Sequence, residues 1–555
     1  MHDNETALDL HQQNIKDSVS SHYKDIINKL QPVRIHPSEI KALIGKMKHG
    51  VSPGIDKVCV EHFIYGTSET LCAVLADLHS TILSTKCVPD NISTGVIIPI
   101  FKKSTLDCNK AENFRPISLS STFSRLLELL VNTEYIPNEA QFGFRKGRST
   151  SFVTNLINDS CAYFNANGSP VYLCTFDAEK CFNSIWHSGL FYKLWGIIPA
   201  DRWALLYNWY RHSKACVQWN NSLSDTFNIT RGMRQGSLLS PTLFNLFIND
   251  LLIQLKSANT GIRIEDLLLN SCAYADDVTI FSSTIPGLQQ LMDISSSYAN
   301  RWRFKFSSKK TKCIIFGKQI TTASPSWSLY GLPVATVEEV DVLGITFSSD
   351  NKHTAHIEKR ISSCRKSIFG LSSVGMSYPG LSSDIKAHIW NSVGASTLLY
   401  GMDSIALDAK ELKRLSVTAT TLVKSVLGLP KRSHHSSVLS ALNIPTVQNE
   451  VQYATVNLYQ RIFREESPVR QLQARLLAKY VLTGKCVCGT ILSNIIKYGL
   501  NPVTVIYNTS FKNCKIMSST ADGMIDTLRY LLCHEKFVKP WSEEYRLARL
   551  LTSAF

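Results

Sequence analysis

Apolar residues along this chain fall into two kinds of run, and their order predicts a mixed architecture. Val171–Phe176 (VYLCTF) is an unbroken apolar stretch of strand length that ends at a carboxylate, Asp177. Further along, LLLNSCA and VTIFSS flank Tyr274-Ala275-Asp276-Asp277. Two short β-prone runs meeting at a tight polar tip read as a β-hairpin. Between these strands the period changes. Ser240 reads as an N-cap and Pro241 as the first helical residue, and 242–255 then carries an apolar helical face. Residues 1–30 read as a polar helical lead-in. HPSEIKALIGKMKHG (36–50) has a helical period closed by a glycine, and STGVIIPIF (93–101) reads as a strand. Residues 321–350 look like two short strands ending in VLGI, and from 351 to about 445 the pattern turns helical. Strands and helices in this order predict an α+β fold.

Length and charge narrow the class. At 555 residues the chain exceeds one hydrophobic core, so two to four subdomains are expected. A hydrophobic fraction of 44% with 19% charged residues describes a folded protein rather than a disordered one. Lysine and arginine number 59 against 44 acidic residues, a net charge of +15, and such a surplus suits a polyanion such as nucleic acid. No apolar run approaches the roughly 20 residues that span a bilayer. The amino end, MHDNETALDLHQQ, is polar and acidic, unlike a secretory signal or an Arg-rich transit peptide. The 15 cysteines are scattered and odd in number, which fits reduced thiols better than a disulfide framework. An intracellular protein, nuclear or cytoplasmic, with no membrane partner is the expectation.

The acidic positions change the picture most. Buried unpaired charge costs several kcal/mol, so carboxylates lifted on an apolar ribbon call for a compensating cation. An Asp-rich tip alone is ordinary turn chemistry. A strand ending in Asp177 together with a tip bearing Asp276 and Asp277 gives the two-metal layout of in-line phosphoryl transfer. Hard oxygen ligands of this kind favour Mg²⁺, which keeps waters and takes substrate phosphates as further ligands. Adjacent strand residues point to opposite faces, so Asp177 and Asp276 are the expected ligands, with Asp277 supporting them from behind.

In order along the chain come SPGID (52–56), VIIPIFKK (96–103), ENFRPISL (112–119), QFGFRKGRST (141–150) and FDAEKCFNSIWH (176–187). RGMRQGSLLSPTLFNLFINDL (231–251), AYADD (273–277), SSKKTK (307–312) and VLGI (342–345) complete the series. Taken together these segments resemble the reverse transcriptases of non-LTR (LINE-like) retrotransposons, over about residues 50 to 350. The resemblance implies a right-hand polymerase of fingers, palm and thumb with a mostly helical carboxy-terminal region. On it, 1–30 is a lead-in, 31–165 the fingers and upper palm, and 166–350 the catalytic palm with a primer-grip hairpin. Residues 351–445 would be a helical thumb and 446–555 a helical region of open role, with the reverse transcriptase domain itself at about 85–350.

The implied activity is extension of a DNA 3′-hydroxyl by dNTPs on an RNA template, in a cleft that holds the RNA·DNA hybrid. Two Mg²⁺ ions, or Mn²⁺ in their place, would be held by Asp177, Asp276 and Asp277. Phe182 would lie beneath the incoming sugar and reject a ribose 2′-hydroxyl, although core packing accounts for a phenylalanine equally well. Gln235 and Gly236 would sit behind the nascent base pair, where glycine lets backbone approach closely. Arg115 and Lys102, with Lys103 as the adjacent alternative, would hold the triphosphate. Lys310, with Lys309 as its rival, would protonate the leaving pyrophosphate. Ser307 stands where the family usually has Asn. Arg231 and Arg234 read as phosphate contacts, and Phe142, Phe144, Arg145 and Arg148 as a template-contacting element.

Cys486-x-Cys488, Cys514 and Cys533-His534 match no common zinc-finger spacing, so buried thiols are the expected reading. Neither an endonuclease nor a separate RNase H domain is apparent, which suits a truncated copy or part of a longer polyprotein. The alternatives are a group II intron maturase and a catalytically silent, domesticated RNA-binding relative. Retention of Asp177, Asp276, Asp277 and Gln235-Gly236 argues against the silent form.

Overall fold

The computed structural model describes residues 8–102, 107–132, 135–178, 181–220, 222–318, 325–376, 378–483, 486 and 491–507. Two compact units divide the chain. One is drawn from Met1–Phe144, Asp177–Gln254 and Asp293–Ser307, the other from Arg145–Phe176, Leu255–Met292 and Ser308–Phe555. Each combines sheet and helices, in keeping with the α+β class.

In the first unit a five-stranded sheet runs in the order Phe114–Leu119, Gly95–Phe101, Lys214–Trp219, Ser222–Leu223, with Phe227–Asn228 also paired to Lys214–Trp219. Gly95–Phe101 is the expected VIIPIF strand. It pairs antiparallel with Phe114–Leu119, from Val96↔Leu119 to Phe101↔Phe114, and parallel with Lys214–Trp219. The helices Pro37–Ile44, Glu69–Thr85 and Thr122–Val131 share a core of Ile40, Ile44, Leu75 and Leu126. The lead-in forms the helix Leu10–Ile27, opened by a capping box in which the Asp9 carboxylate accepts from the Gln12 N–H at 2.8 Å.

Two helix ends differ from expectation. The helix expected over 36–50 stops at Ile44, because the N–H groups of Lys46 and Met47 fold back onto the carbonyls of Leu43 and Ile44 and tighten the last turn. In Ser240–Ser257 the first helical bond joins Leu243 N–H to the Leu239 carbonyl, so Leu239 rather than Ser240 is the cap. The Ser240 hydroxyl instead donates to the Arg234 carbonyl at 2.7 Å.

The second unit holds a six-stranded sheet, ordered Trp327–Leu329, Leu332–Thr336, Lys312–Phe316, Val171–Phe176, Asp277–Ser282, Ser271–Tyr274. Val171–Phe176 lies inside this sheet, antiparallel to both neighbours. A strand covered on both faces needs no polar alternation, which accounts for its continuous apolar run. The segment 321–350 supplies four strands among the described residues, not two. Trp327–Leu329 and Leu332–Thr336 extend the sheet, while Glu339–Val342 and Ile345–Ser348 form a separate hairpin. Both turns, Tyr330-Gly331 and Leu343-Gly344, hold positive φ at both residues, as tight hairpins with type I′ turns do.

The helix Thr150–Ala166 is buried without interruption from Phe152 to Ala162, polar residues included. Asp159 accepts hydrogen bonds there from Asn155, Asn158, Gln473 and the backbone N–H of Ile491. The helices after Thr354 bury Ile361, Trp390, Leu398, Leu415, Leu422 and Val451 as one core. The described cysteines are free thiols. No helix of the described residues is long and apolar enough to cross a membrane.

Candidate active site

The acidic tip belongs to the second unit. Ser271–Tyr274 and Asp277–Ser282 pair antiparallel, with Asp277 opposite Tyr274, leaving Ala275 and Asp276 as the two turn residues. Ala275 has φ +57°, a left-handed conformation at the position where tight hairpins usually place glycine. Backbone strain of this kind, on the order of 1–2 kcal/mol for an L-residue, is kept where the surrounding structure fixes it. Asp276 is half-buried and Asp277 exposed. Val278 pairs with Phe176, so the hairpin tip projects past the end of Val171–Phe176. Lys309 and Lys310 are exposed in the turn before Lys312–Phe316, whose first residue pairs with Thr175.

Asp177 belongs to the first unit and is half-buried. Its backbone carbonyl accepts from the Ser307 N–H at 2.8 Å, and Ala178 bridges Phe306. This bond uses the Ser307 main chain and does not depend on the side chain at that position. Phe182 sits in the short helix Cys181–Ser184. Its ring stacks on Phe244, with centroids 5.0 Å apart, and meets Phe144 edge-on at 6.1 Å.

The RGMRQG segment is zipped to the 182–187 stretch. Gly232 N–H donates to the Ile185 carbonyl at 2.8 Å and Met233 N–H to the Phe182 carbonyl at 2.6 Å. The His187 Nε2–H donates to the Gly232 carbonyl at 2.8 Å. Burial pushes the His187 pKa down to about 4, so the ring is neutral near pH 7. A Cβ on Gly232 would lie 2.7 Å from the Asn183 carbonyl oxygen. Beyond it, Ser118 N–H donates to the Gln235 carbonyl at 2.7 Å. Gly236, at φ +121°, is pressed so close that a Cβ would stand 2.6 Å from the Ser118 carbonyl oxygen. The Gln235–Gly236 turn is thereby held against the strand that carries Arg115.

Arg115 is exposed and pairs with Ile100. The strand period puts Lys102, also exposed, on that same face. The Lys102 Nζ donates to the Glu112 carbonyl at 2.6 Å. Lys103 lies outside the described residues.

Other expected contacts are spent internally. Arg231 donates to the carbonyls of Ser184 and Arg303 at 3.0 and 2.9 Å, and Arg234 donates to the Ser93 carbonyl. Arg148, only 7% exposed, donates to the Glu466 carbonyl at 2.6 Å and pairs with Glu465 at 3.5 Å. Arg148 and Arg234 are enclosed and tie backbone together, while Arg231 ties backbone from a half-buried position. Phe142 is fully buried, whereas Phe144 is 51% exposed. Cys486 is half-buried, and Cys488, Cys514, Cys533 and His534 lie outside the described residues.

No group of three His, Cys, Asp or Glu side chains among the described residues converges on one point. This includes Asp177, Asp276 and Asp277, so their candidacy as metal donors rests on the sequence motifs and the strand register and not on a closed cluster of side chains. A set of hard oxygens that leaves positions for water and phosphate fits Mg²⁺. His187 and Glu128 are the residues that sequence reasoning passes over. His187 stands inside a motif without a role of its own, and Glu128 is a lone acid in the apolar stretch TFSRLLELLV.

Residues 100–347 match the family described as reverse transcriptase (RNA-dependent DNA polymerase). The RNA-directed DNA polymerase from mobile element jockey of Drosophila funebris is 24% identical over 445 residues, 76% of this chain and 47% of the relative. The probable RNA-directed DNA polymerase from transposon BS of Drosophila melanogaster is 24% identical over 484 residues, 81% of this chain and 52% of the relative. The chain spans about half the length of the curated relatives it matches. Among solved structures, apo telomerase from Candida tropicalis truncated from its C-terminal domain aligns over 51% of this chain and 59% of that one. At 13% identity and a TM-score of 0.33 it carries no argument. Over residues 100–347 the chain matches the reverse transcriptase family, and the two relatives are named as an RNA-directed DNA polymerase and a probable RNA-directed DNA polymerase of mobile elements.

Proposed function

We propose that the chain is an RNA-directed DNA polymerase that extends a DNA 3′-hydroxyl with dNTPs on an RNA template. One observation carries this reading, the register that pairs Phe176 with Val278. In the chain Asp177 follows Phe176 directly, and Asp276 and Asp277 directly precede Val278. The register supports Asp177, Asp276 and Asp277 as the holders of two Mg²⁺ ions. Bound there, the metal would supply charge stabilisation at the phosphate and a lowered pKa for the primer hydroxyl.

The chain's own side chains supply the positioning. Arg115 and Lys102, on one face of the fingers ribbon, suit a triphosphate: the guanidinium binds it bidentately and the ammonium acts as a point charge. Phe182, backed by Phe244, is rigid enough to crowd a ribose 2′-hydroxyl. The Gln235–Gly236 turn offers bare backbone to the nascent base pair. Lys310 gives a proton to the departing pyrophosphate. The net charge of +15 suits an RNA·DNA hybrid held by its backbone and shape. In this reading 31–165 forms fingers and upper palm, 166–350 the catalytic palm and 351–445 the thumb. The test is Mg²⁺-dependent incorporation of dTTP on poly(rA)·oligo(dT), with Asp276→Asn beside the wild type.

A further inference from the structure

Glu128 stands on the inner side of the helix Thr122–Val131 and is 2% exposed. Its Oε2 accepts the Leu238 N–H at 2.7 Å, and the Ser237 hydroxyl also hydrogen-bonds it. Two cations face this carboxylate, Arg125 from the same helix and Arg234 from the head of the turn. Arg125 donates to the Ser52 carbonyl at 2.9 Å and Arg234 to the Ser93 carbonyl. Each keeps a buried Nη1 with no hydrogen-bond partner, so Glu128 is the charge that balances both. The opposite side of the turn is fixed to the strand Phe114–Leu119, through the Ser118–Gln235 bond and the close approach of Gly236 to Ser118. The 234–240 turn is clamped between a strand that carries Arg115 and a helix that carries Glu128.

We propose that Glu128 is a positioning residue: by reaching the Leu238 N–H, its carboxylate sets the Gln235–Gly236 turn, and with it the strand of Arg115, for nucleotide binding. The inference rests on the polymerase reading. A purely structural role would make Glu128 no more than a counter-charge for Arg125 and Arg234. The two roles separate by substitution. Glu128→Gln keeps the reach to Leu238 and loses the charge, with the Ser237 hydroxyl free to turn and accept from the new amide. Glu128→Asp keeps the charge and withdraws the acceptor.

The experiment measures three quantities on the full chain for wild type and both variants. They are KM and kcat for dTTP on poly(rA)·oligo(dT), the melting temperature, and amide hydrogen exchange of peptides covering 231–240. Positioning through Leu238 predicts that Glu128→Asp raises KM about tenfold with kcat nearly unchanged, the effect of a lost charge-assisted hydrogen bond. The 231–240 peptides exchange faster in that variant alone, and Glu128→Gln stays close to wild type in both. The inference is overturned if KM follows charge instead of reach, if neither variant moves it, or if both variants lose protection throughout the chain. A wild type that incorporates no nucleotide sinks the polymerase reading separately, and exchange at 231–240 still judges the clamp.

Discussion

Asp159 is a fully buried carboxylate outside the candidate site, and its burial is costly. Burial lifts its pKa from the ordinary carboxylate range to about 7, and the bonds from Gln473, Ile491, Asn155 and Asn158 only partly offset this. The folded chain therefore holds that proton more tightly than the unfolded chain does. Stability from this group is full below the ordinary range and declines as pH rises toward about 7, by an amount on the order of a few kcal/mol. Asp159→Asn should remove the decline, which denaturant midpoints at pH 5 and pH 8 will show. Ala275 gives a second prediction. Glycine there relieves left-handed strain of about 1–2 kcal/mol against an entropic cost of about 0.5–1. Ala275→Gly should raise unfolding free energy by about 0.5–1 kcal/mol, read from the same midpoints. At this scale the three candidate catalytic carboxylates are legible because acids flanked by apolar strands are conspicuous. Glu128 and His187 are not, since a buried acid or imidazole reveals its partner only once distant segments meet.

Glycine fixes the geometry of the RGMRQG turn. Any side chain at Gly236 meets the Ser118 carbonyl and adopts a backbone conformation that L-residues avoid. Gly236→Ala should lower kcat/KM for dNTP by at least about a hundredfold, as a roughly 1 Å displacement at a reacting geometry does, while circular dichroism stays native. Elements with strong local signals are readable: the VYLCTF strand, the YADD hairpin and the helix after Pro241. The two hairpins within 325–350 merge in the sequence because Tyr330-Gly331 and Leu343-Gly344 lack the Asn or Asp that usually marks such turns. The helix after Pro37 reads too long because periodicity continues past the point where the backbone tightens. Arg148 and Arg234 read as ligand contacts because a surface arginine and one bonded to buried carbonyls are the same letter.

The second unit ties part of the reverse transcriptase domain to the helices beyond residue 445. Gln473 bonds Asn155 and Asp159 on the buried helix Thr150–Ala166, Arg148 bonds Glu466, and Arg475 bonds Asp266 at 2.7 Å. A chain ended at residue 445 would expose that helix and strand its buried polar groups. It should be recovered as aggregate, or be cut within 145–166 by trace protease, where the full chain resists; equal solubility and resistance would contradict this. The sequence leaves the role of 446–555 open because long-range polar partners carry no local pattern.

The most direct measurement is dTTP incorporation on poly(rA)·oligo(dT) with Mg²⁺, for the wild-type chain and for Asp276→Asn. The account predicts RNA-templated extension by the wild type. It also predicts a loss of at least about 10²–10³-fold in the variant at unchanged melting temperature, the scale set by removal of one electrostatic group from a preorganised site. Undiminished activity in Asp276→Asn would contradict the assignment of the hairpin carboxylates, and an inactive, folded wild type would contradict the polymerase itself.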